Sequence, residues 1–269
     1  MSTAYVFCGG GAYALPELGV VNYMVENKIL KDGDFVIGTS FGAIAGSALV
    51  SNFSKDQIIN MVSTFNQQTQ NTFTVLGISW DLFRLPYRYG LRDLVNILAP
   101  YYPIGNIPNN LAVCSTEVQH MDLKVFSAKD NITILQAVSA SASIPFLFVP
   151  QQYRSGYYVD GGILDNAPVN HVKDYDNIVI VGYKPSIIPD SYYPVDSFID
   201  YSMSLLNGMI SKLNYYYDIE TGVDMQTLNK CQVIPISGIA SNIIDFSHYV
   251  ANISMGYENA KQFFEKQGK

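Results

Sequence analysis

The run Phe35-Val36-Ile37-Gly38-Thr39-Ser40-Phe41-Gly42-Ala43-Ile44-Ala45-Gly46-Ser47-Ala48-Leu49-Val50 passes from three apolar residues, through Gly-x-Ser-x-Gly, into a tract of small and apolar residues. A strand that ends in a glycine-flanked serine and opens into a helix is the setting a nucleophile elbow requires. Gly38 and Gly42 let the backbone turn sharply and let strand and helix approach closely. Ser40 Oγ then stands exposed at the positive end of the helix. The alternative is an ordinary tight strand-to-helix turn, and the flanking strand and helix favour the nucleophile over it.

Upstream, Ala4-Tyr5-Val6-Phe7-Cys8 reads as a strand and is followed at once by Gly9-Gly10-Gly11. The spacing then predicts a helix from about Ala12 to Asn27, with Leu15, Leu18, Val21, Tyr23 and Val25 on an imperfect apolar face. Three glycines between a strand and a helix expose backbone N–H groups that suit an anion or a developing oxyanion. A glycine turn that permits close packing is the plainer alternative. From Gly9 to Ser40 is one strand–helix–strand unit. Right-handed parallel pairing of its strands puts the glycine loop and the serine at the same C-terminal sheet edge.

A third stretch is Tyr157-Tyr158-Val159-Asp160-Gly161-Gly162-Ile163-Leu164-Asp165-Asn166-Ala167-Pro168. Asp-Gly and Gly-Gly after aromatic and β-branched residues are common hairpin signals. The functional alternative is an aspartate at a strand end, within reach of Ser40 and able to act as a general base in a partly desolvated site.

Together these stretches resemble the patatin-like phospholipase family, whose catalytic core is shared with cytosolic phospholipase A2. Gly9-Gly10-Gly11 is similar to that family's oxyanion loop, Gly38 to Gly42 to its nucleophile elbow, and Asp160-Gly161-Gly162 to its catalytic Asp-Gly-Gly. Ala140-Ser141-Ala142-Ser143-Ile144-Pro145-Phe146 is similar to the Ala-Ser-x-Ala-x-Pro stretch that precedes the aspartate. The likeness runs from about residue 4 to 182. A weaker similarity reaches the end through Cys231-Gln232-Val233-Ile234-Pro235 and Gly256-Tyr257-Glu258-Asn259-Ala260.

The resemblance implies a three-layer α/β/α sandwich with a largely parallel central sheet, forming one catalytic domain over 1–269. Elements from 183 to 269 pack on a core built from 4–182. It also implies a lipid acyl hydrolase of the phospholipase A or lysophospholipase type, working through a Ser40–Asp160 dyad and an acyl-serine. Gly9, Gly10, Gly11 and Phe41 would form the oxyanion hole, with no metal and no cofactor. The implied partners are a phospholipid or other acyl-ester lipid, a transient membrane surface and a protein activator. One departure stands out: the family's loop continues Gly-Gly-Gly-x-Arg-Gly, where this chain has Tyr13 and Ala14. Backbone donors at Gly10 and Gly11 need no side chain. A weak or silent lipid-binding relative, or an acyltransferase using the same serine, are the alternatives.

A Ser–acid–His triad would need His248, since only His120, His171 and His248 exist. His248 opens an amphipathic pattern (Tyr249, Ile253, Tyr257, Phe263, Phe264), where a surface or capping role is expected instead.

The 269 residues carry a net charge of −7, with 14% charged and 13% aromatic side chains. That balance argues against a broad electrostatic grip on nucleic acid or anionic lipid. Cys8, Cys114 and Cys231 are odd in number and far apart, which reads as reduced core thiols. No segment has the length of a membrane span, and the first residues lack the regions of a signal peptide. A cytoplasmic protein with peripheral membrane contact is therefore expected.

Three arginines among aromatics in Trp80–Arg92 suggest a connection packed over the sheet or, alternatively, an interfacial flap. The segment around Pro185, Pro189 and Pro194 reads as a surface loop. Asp196 to about Asp218 reads as a buried helix or, alternatively, as one that lines an acyl pocket or acts as a lid.

Overall fold

A computed structural model describes residues 1–76, 98–102, 105–145, 148–183, 223–240, 243 and 245–267. Phe146, the arginine–aromatic segment 80–92, the proline loop 185–194 and the expected helix 196–218 lie outside the described residues.

Eight strands form one mixed sheet: β1 (Thr3–Phe7), β2 (Phe35–Thr39), β3 (Leu111–Glu117), β4 (Asp122–Phe126), β5 (Gln151–Tyr153), β6 (Gly156–Asp160), β7 (Asn177–Tyr183) and β8 (Cys231–Ile236). Their order is β5-β6-β3-β2-β1-β7-β8, with β4 paired to β3 off that path. The run β3-β2-β1-β7-β8 is parallel throughout. β4 and β6 pair antiparallel with β3, and β5 antiparallel with β6.

Strands covered on both faces are apolar at successive positions, because odd and even residues enter two different cores. Tyr5, Phe7, Val36, Val113, Val179 and Val181 join one core, and Ala4, Val6, Ile37, Ala112, Cys114 and Ile178 the other. The first core contains residues of helices α1 (Pro16–Glu26), α2 (Phe41–Val50), α3 (Lys55–Leu76), α4 (Ile134–Ser141) and α6 (Tyr249–Gln267). A short helix, α5 (Met225–Leu228), precedes β8. On the opposite face Val169 and Val172, from a 3-10 turn, close the second core. This is the expected α/β layering, a mostly parallel sheet flanked by helices.

The expected helix 12–27 divides in two. A 3-10 turn covers Gly11–Ala14, and the α-helix starts at Pro16, whose missing N–H is harmless at the first helical position. α1 and α6 cross unusually closely: a Cβ on Gly19 would lie 2.0 Å from the Ile253 carbonyl oxygen. Among the described residues no helix is long and apolar enough to cross a membrane. All three cysteines are free thiols; Cys8 and Cys114 are buried.

The register of β3 matters most for the site. Each strand offers two edges, and β4 occupies one edge of β3 from Val113 to Glu117. β2 and β6 must therefore share the other. β2 ends with Thr39 opposite Cys114, and β6 ends with Asp160 opposite the next residue, Ser115. The two strands run towards each other along one edge, and their C-terminal ends meet.

Candidate active site

At the end of β2 the chain turns through Ser40, whose φ of 55° and ψ of −124° place a non-glycine residue in a strained region. Such a conformation costs about 1–3 kcal/mol and persists only where the surroundings impose it. Two close approaches impose it here. A Cβ on Gly38 would lie 2.4 Å from the Gly42 carbonyl oxygen, and one on Gly42 would lie 2.3 Å from that of Phe7. Ser40 N–H donates to Ser141 Oγ at 2.8 Å, and Ser141 Oγ donates in turn to the Cys114 carbonyl. The strained residue is thereby tied to β3.

Ser40 Oγ donates a 2.6 Å hydrogen bond to Asp160 Oδ2, and each residue is 5% exposed. Asp160 is itself well held. Its N–H donates to the Ser143 carbonyl, its carbonyl accepts from Thr116 Oγ1, and its Oδ1 accepts from Gly162 N–H at 2.8 Å. Gly161 and Gly162 form the 3-10 turn that presents this N–H. Burial pushes the Asp160 carboxyl up from 3.8 to about 6, while the bonds from Ser40 and Gly162 hold it down against a larger rise. A base of that strength, hydrogen-bonded to a hydroxyl, can accept its proton near neutral pH.

The glycine loop stands beside the serine: a Cβ on Gly9 would lie 3.1 Å from Ser40 Cβ. The four expected oxyanion donors are not equivalent. Gly9 N–H donates to the Asn166 carbonyl at 3.0 Å and is already committed. Among the described residues, no acceptor takes the N–H of Gly10, Gly11 or Phe41. Phe41 is the first residue of α2, where unclaimed N–H groups are the rule. Gly11 has φ +53°, a conformation that favours glycine. Tyr13, in the place of the family's arginine, donates its N–H to the Gly10 carbonyl and accepts from Gly238 N–H. Its backbone thus helps to close the loop.

None of the three histidines is hydrogen-bonded to Ser40. His120 pairs with Glu117, His171 Nε2 lies 3.6 Å from Asp165 Oδ2, and His248 is exposed just before α6. Among the described residues no three His, Cys, Asp or Glu side chains gather as metal ligands would. An apolar pocket opens one residue past the serine, walled by Phe41 and Ile44 of α2, Met61, Val62 and Phe65 of α3, with Leu98 and Phe246.

Three residues without a motif role of their own enter the site in the fold: Ser141 under the Ser40 amide, Asn166 on Gly9, and Thr39, whose Oγ1 donates to the Asp165 carbonyl. Ser141 and Asn166 both lie inside stretches singled out for other residues. The one signal the sequence offers for them is that position: polar residues inside the stretches that carry the site.

The model of the family described as patatin-like phospholipase matches residues 5–173. An uncharacterized protein of Acanthamoeba polyphaga mimivirus is 25% identical over 214 residues, which cover 73% of this chain and 72% of the viral one. A probable lipid hydrolase of Invertebrate iridescent virus 6 is 32% identical over 188 residues, 64% of this chain and 63% of its own. Among solved structures, VipD from Legionella pneumophila superposes on 98% of this chain with a TM-score of 0.50 and 16% identity, a likeness of fold. The aligned part is 66% of VipD, so the chain spans just under two thirds of each of the last two proteins.

Proposed function

The chain belongs to the patatin-like phospholipase family, and on that footing we propose that it is a lipid acyl hydrolase working through Ser40 and Asp160. The observation that carries the proposal is the 2.6 Å bond between the strained, buried Ser40 hydroxyl and a carboxylate whose proton affinity is raised to about 6. Ser40 Oγ attacks the ester carbonyl as its proton passes to Asp160 Oδ2. The oxyanion takes hydrogen bonds from Gly10, Gly11 and Phe41, the donors with no acceptor of their own. Collapse expels the alcohol, which leaves with the proton from Asp160. Water then attacks the acyl-serine as Asp160 again accepts a proton, and on collapse Ser40 Oγ leaves with that proton and the free acid departs. The side chains packed beyond Phe41 are apolar, which favours an aliphatic group over a polar one next to the serine.

The test compares purified wild type with Ser40→Ala and Asp160→Asn, using a fluorescent phosphonate, a short-chain ester and mixed phospholipid vesicles. Labelling and turnover should be present in wild type, and both should vanish in folded Ser40→Ala. Acyl transfer to an added lysophospholipid in place of water would reassign the serine to acyltransfer. A folded wild type that takes no label, with or without lipid or cell extract, would overturn the hydrolytic reading.

A further inference from the structure

The loop that follows Asp160 touches every part of the site. Asp160 accepts from Ser40, the Asp165 carbonyl accepts from Thr39 Oγ1 at 3.0 Å, and Asn166 exchanges two hydrogen bonds with Gly9. The Asn166 carbonyl accepts from Gly9 N–H at 3.0 Å, and Asn166 Nδ2 donates to the Gly9 carbonyl at 3.1 Å. Asn166 Oδ1 fills the space between two glycines: a Cβ would lie 2.3 Å from it on Gly9 and 2.9 Å from it on Gly162. A segment of seven residues, Asp160 to Asn166, therefore grips the nucleophile, the elbow and the glycine loop together.

We propose that Asn166 is a positioning residue that fixes the glycine loop against the loop of the base, and so sets where Gly10 and Gly11 present their N–H groups. The proposal rests on the hydrolytic reading above. Three consecutive glycines have more backbone freedom to lose than any other tripeptide, and a displacement of about 1 Å at a reacting centre costs about a hundredfold in rate. The paired bonds to Gly9 supply the restraint that the loop's own residues lack. Gly9 lies against Ser40, so closely that an added Cβ would stand 3.1 Å from the serine Cβ, and its placement therefore fixes the start of the glycine loop relative to the nucleophile.

Asn166→Ala keeps the main-chain acceptor but removes the Nδ2 donor and the wedge between Gly9 and Gly162. Asn166→Asp keeps the shape but turns a donor into a carboxylate oxygen. Asn166 Oδ1 and Asp160 Oδ1 flank one point beside Gly162, at 2.9 and 3.0 Å. A carboxylate placed there raises the proton affinity of Asp160 further. The two variants therefore differ in a way that loss of folding alone would not produce.

The experiment measures kcat and KM on p-nitrophenyl butyrate from pH 5 to 9 for wild type, Ser40→Ala, Asn166→Ala and Asn166→Asp. Amide hydrogen exchange of Gly9, Ala12 and Tyr13 is followed in the same proteins. Asn166→Ala should lower kcat by about a hundredfold, leave KM within about threefold and the pH midpoint unmoved, and speed exchange in the glycine loop. Asn166→Asp should also move the pH midpoint upward. Wild-type kcat and unchanged loop exchange in Asn166→Ala would overturn the proposal. So would a loss of kcat that follows the fraction of unfolded protein and recovers on cooling. Should wild type and Ser40→Ala behave alike, the hydrolytic reading falls, and loop exchange still decides whether Asn166 holds Gly9.

Discussion

Asp160→Asn should make the protein more stable while removing its activity, and the gain should depend on pH in a defined direction. The asparagine is isosteric: its oxygen can accept from Gly162 N–H, and its amide can meet Ser40 Oγ. What it removes is a buried negative charge. With a carboxyl that titrates at 3.8 when unfolded and about 6 when folded, the native state binds the Asp160 proton more tightly. Wild type is therefore favoured by Asp160 below pH 3.8 and loses that stability as pH rises through about 6. The full penalty at pH 8 is about 3 kcal/mol, or roughly 6–12 °C in Tm. The measurement is urea unfolding of wild type and Asp160→Asn at several pH values between 4 and 8. The informative quantity is the change with pH of their stability difference. Glu17, whose buried carboxyl is also held well above the usual carboxylate range, titrates in both proteins and drops out of it. A difference of about 3 kcal/mol that opens between pH 4 and 7 fits the structure. A constant difference, or a variant less stable at pH 8 than at pH 4 relative to wild type, refutes the buried charge and with it the base strength assigned to Asp160.

The same carboxylate should govern turnover: kcat/KM on a short-chain ester is expected to rise with pH and level off above about 6, since only ionised Asp160 accepts the Ser40 proton. A flat profile between pH 5 and 7.5 contradicts it. Ser141→Ala leaves the buried Ser40 N–H without its acceptor and should cost about 1–3 kcal/mol in urea unfolding, with slower turnover in the folded fraction.

Ser40 and Asp160 were legible in the chain because their immediate neighbours carry the requirement. Gly38 and Gly42 have no room for a side chain, and Gly161 and Gly162 form the turn that caps the carboxylate. Parallel pairing of β1 and β2 was legible too, from one apolar run, a helical interval and a second apolar run. The meeting of Ser40 and Asp160 was not legible locally. It follows from β4 taking one edge of β3 and leaving the other to be divided between β2 and β6. Edge sharing is a property of three strands far apart in the chain, and no single strand's alternation records it. The same holds for Gly9, which the motif groups with Gly10 and Gly11. Only the fold, by bringing Asn166 beside it, commits its N–H to a structural bond. The replacement of the family's arginine by Tyr13 can be weighed on the same basis. The loop is closed by Tyr13's backbone and held by Asn166, and the donors left unclaimed belong to the main chain. Replacement of the arginine side chain at position 13 therefore leaves the proposed oxyanion donors in place.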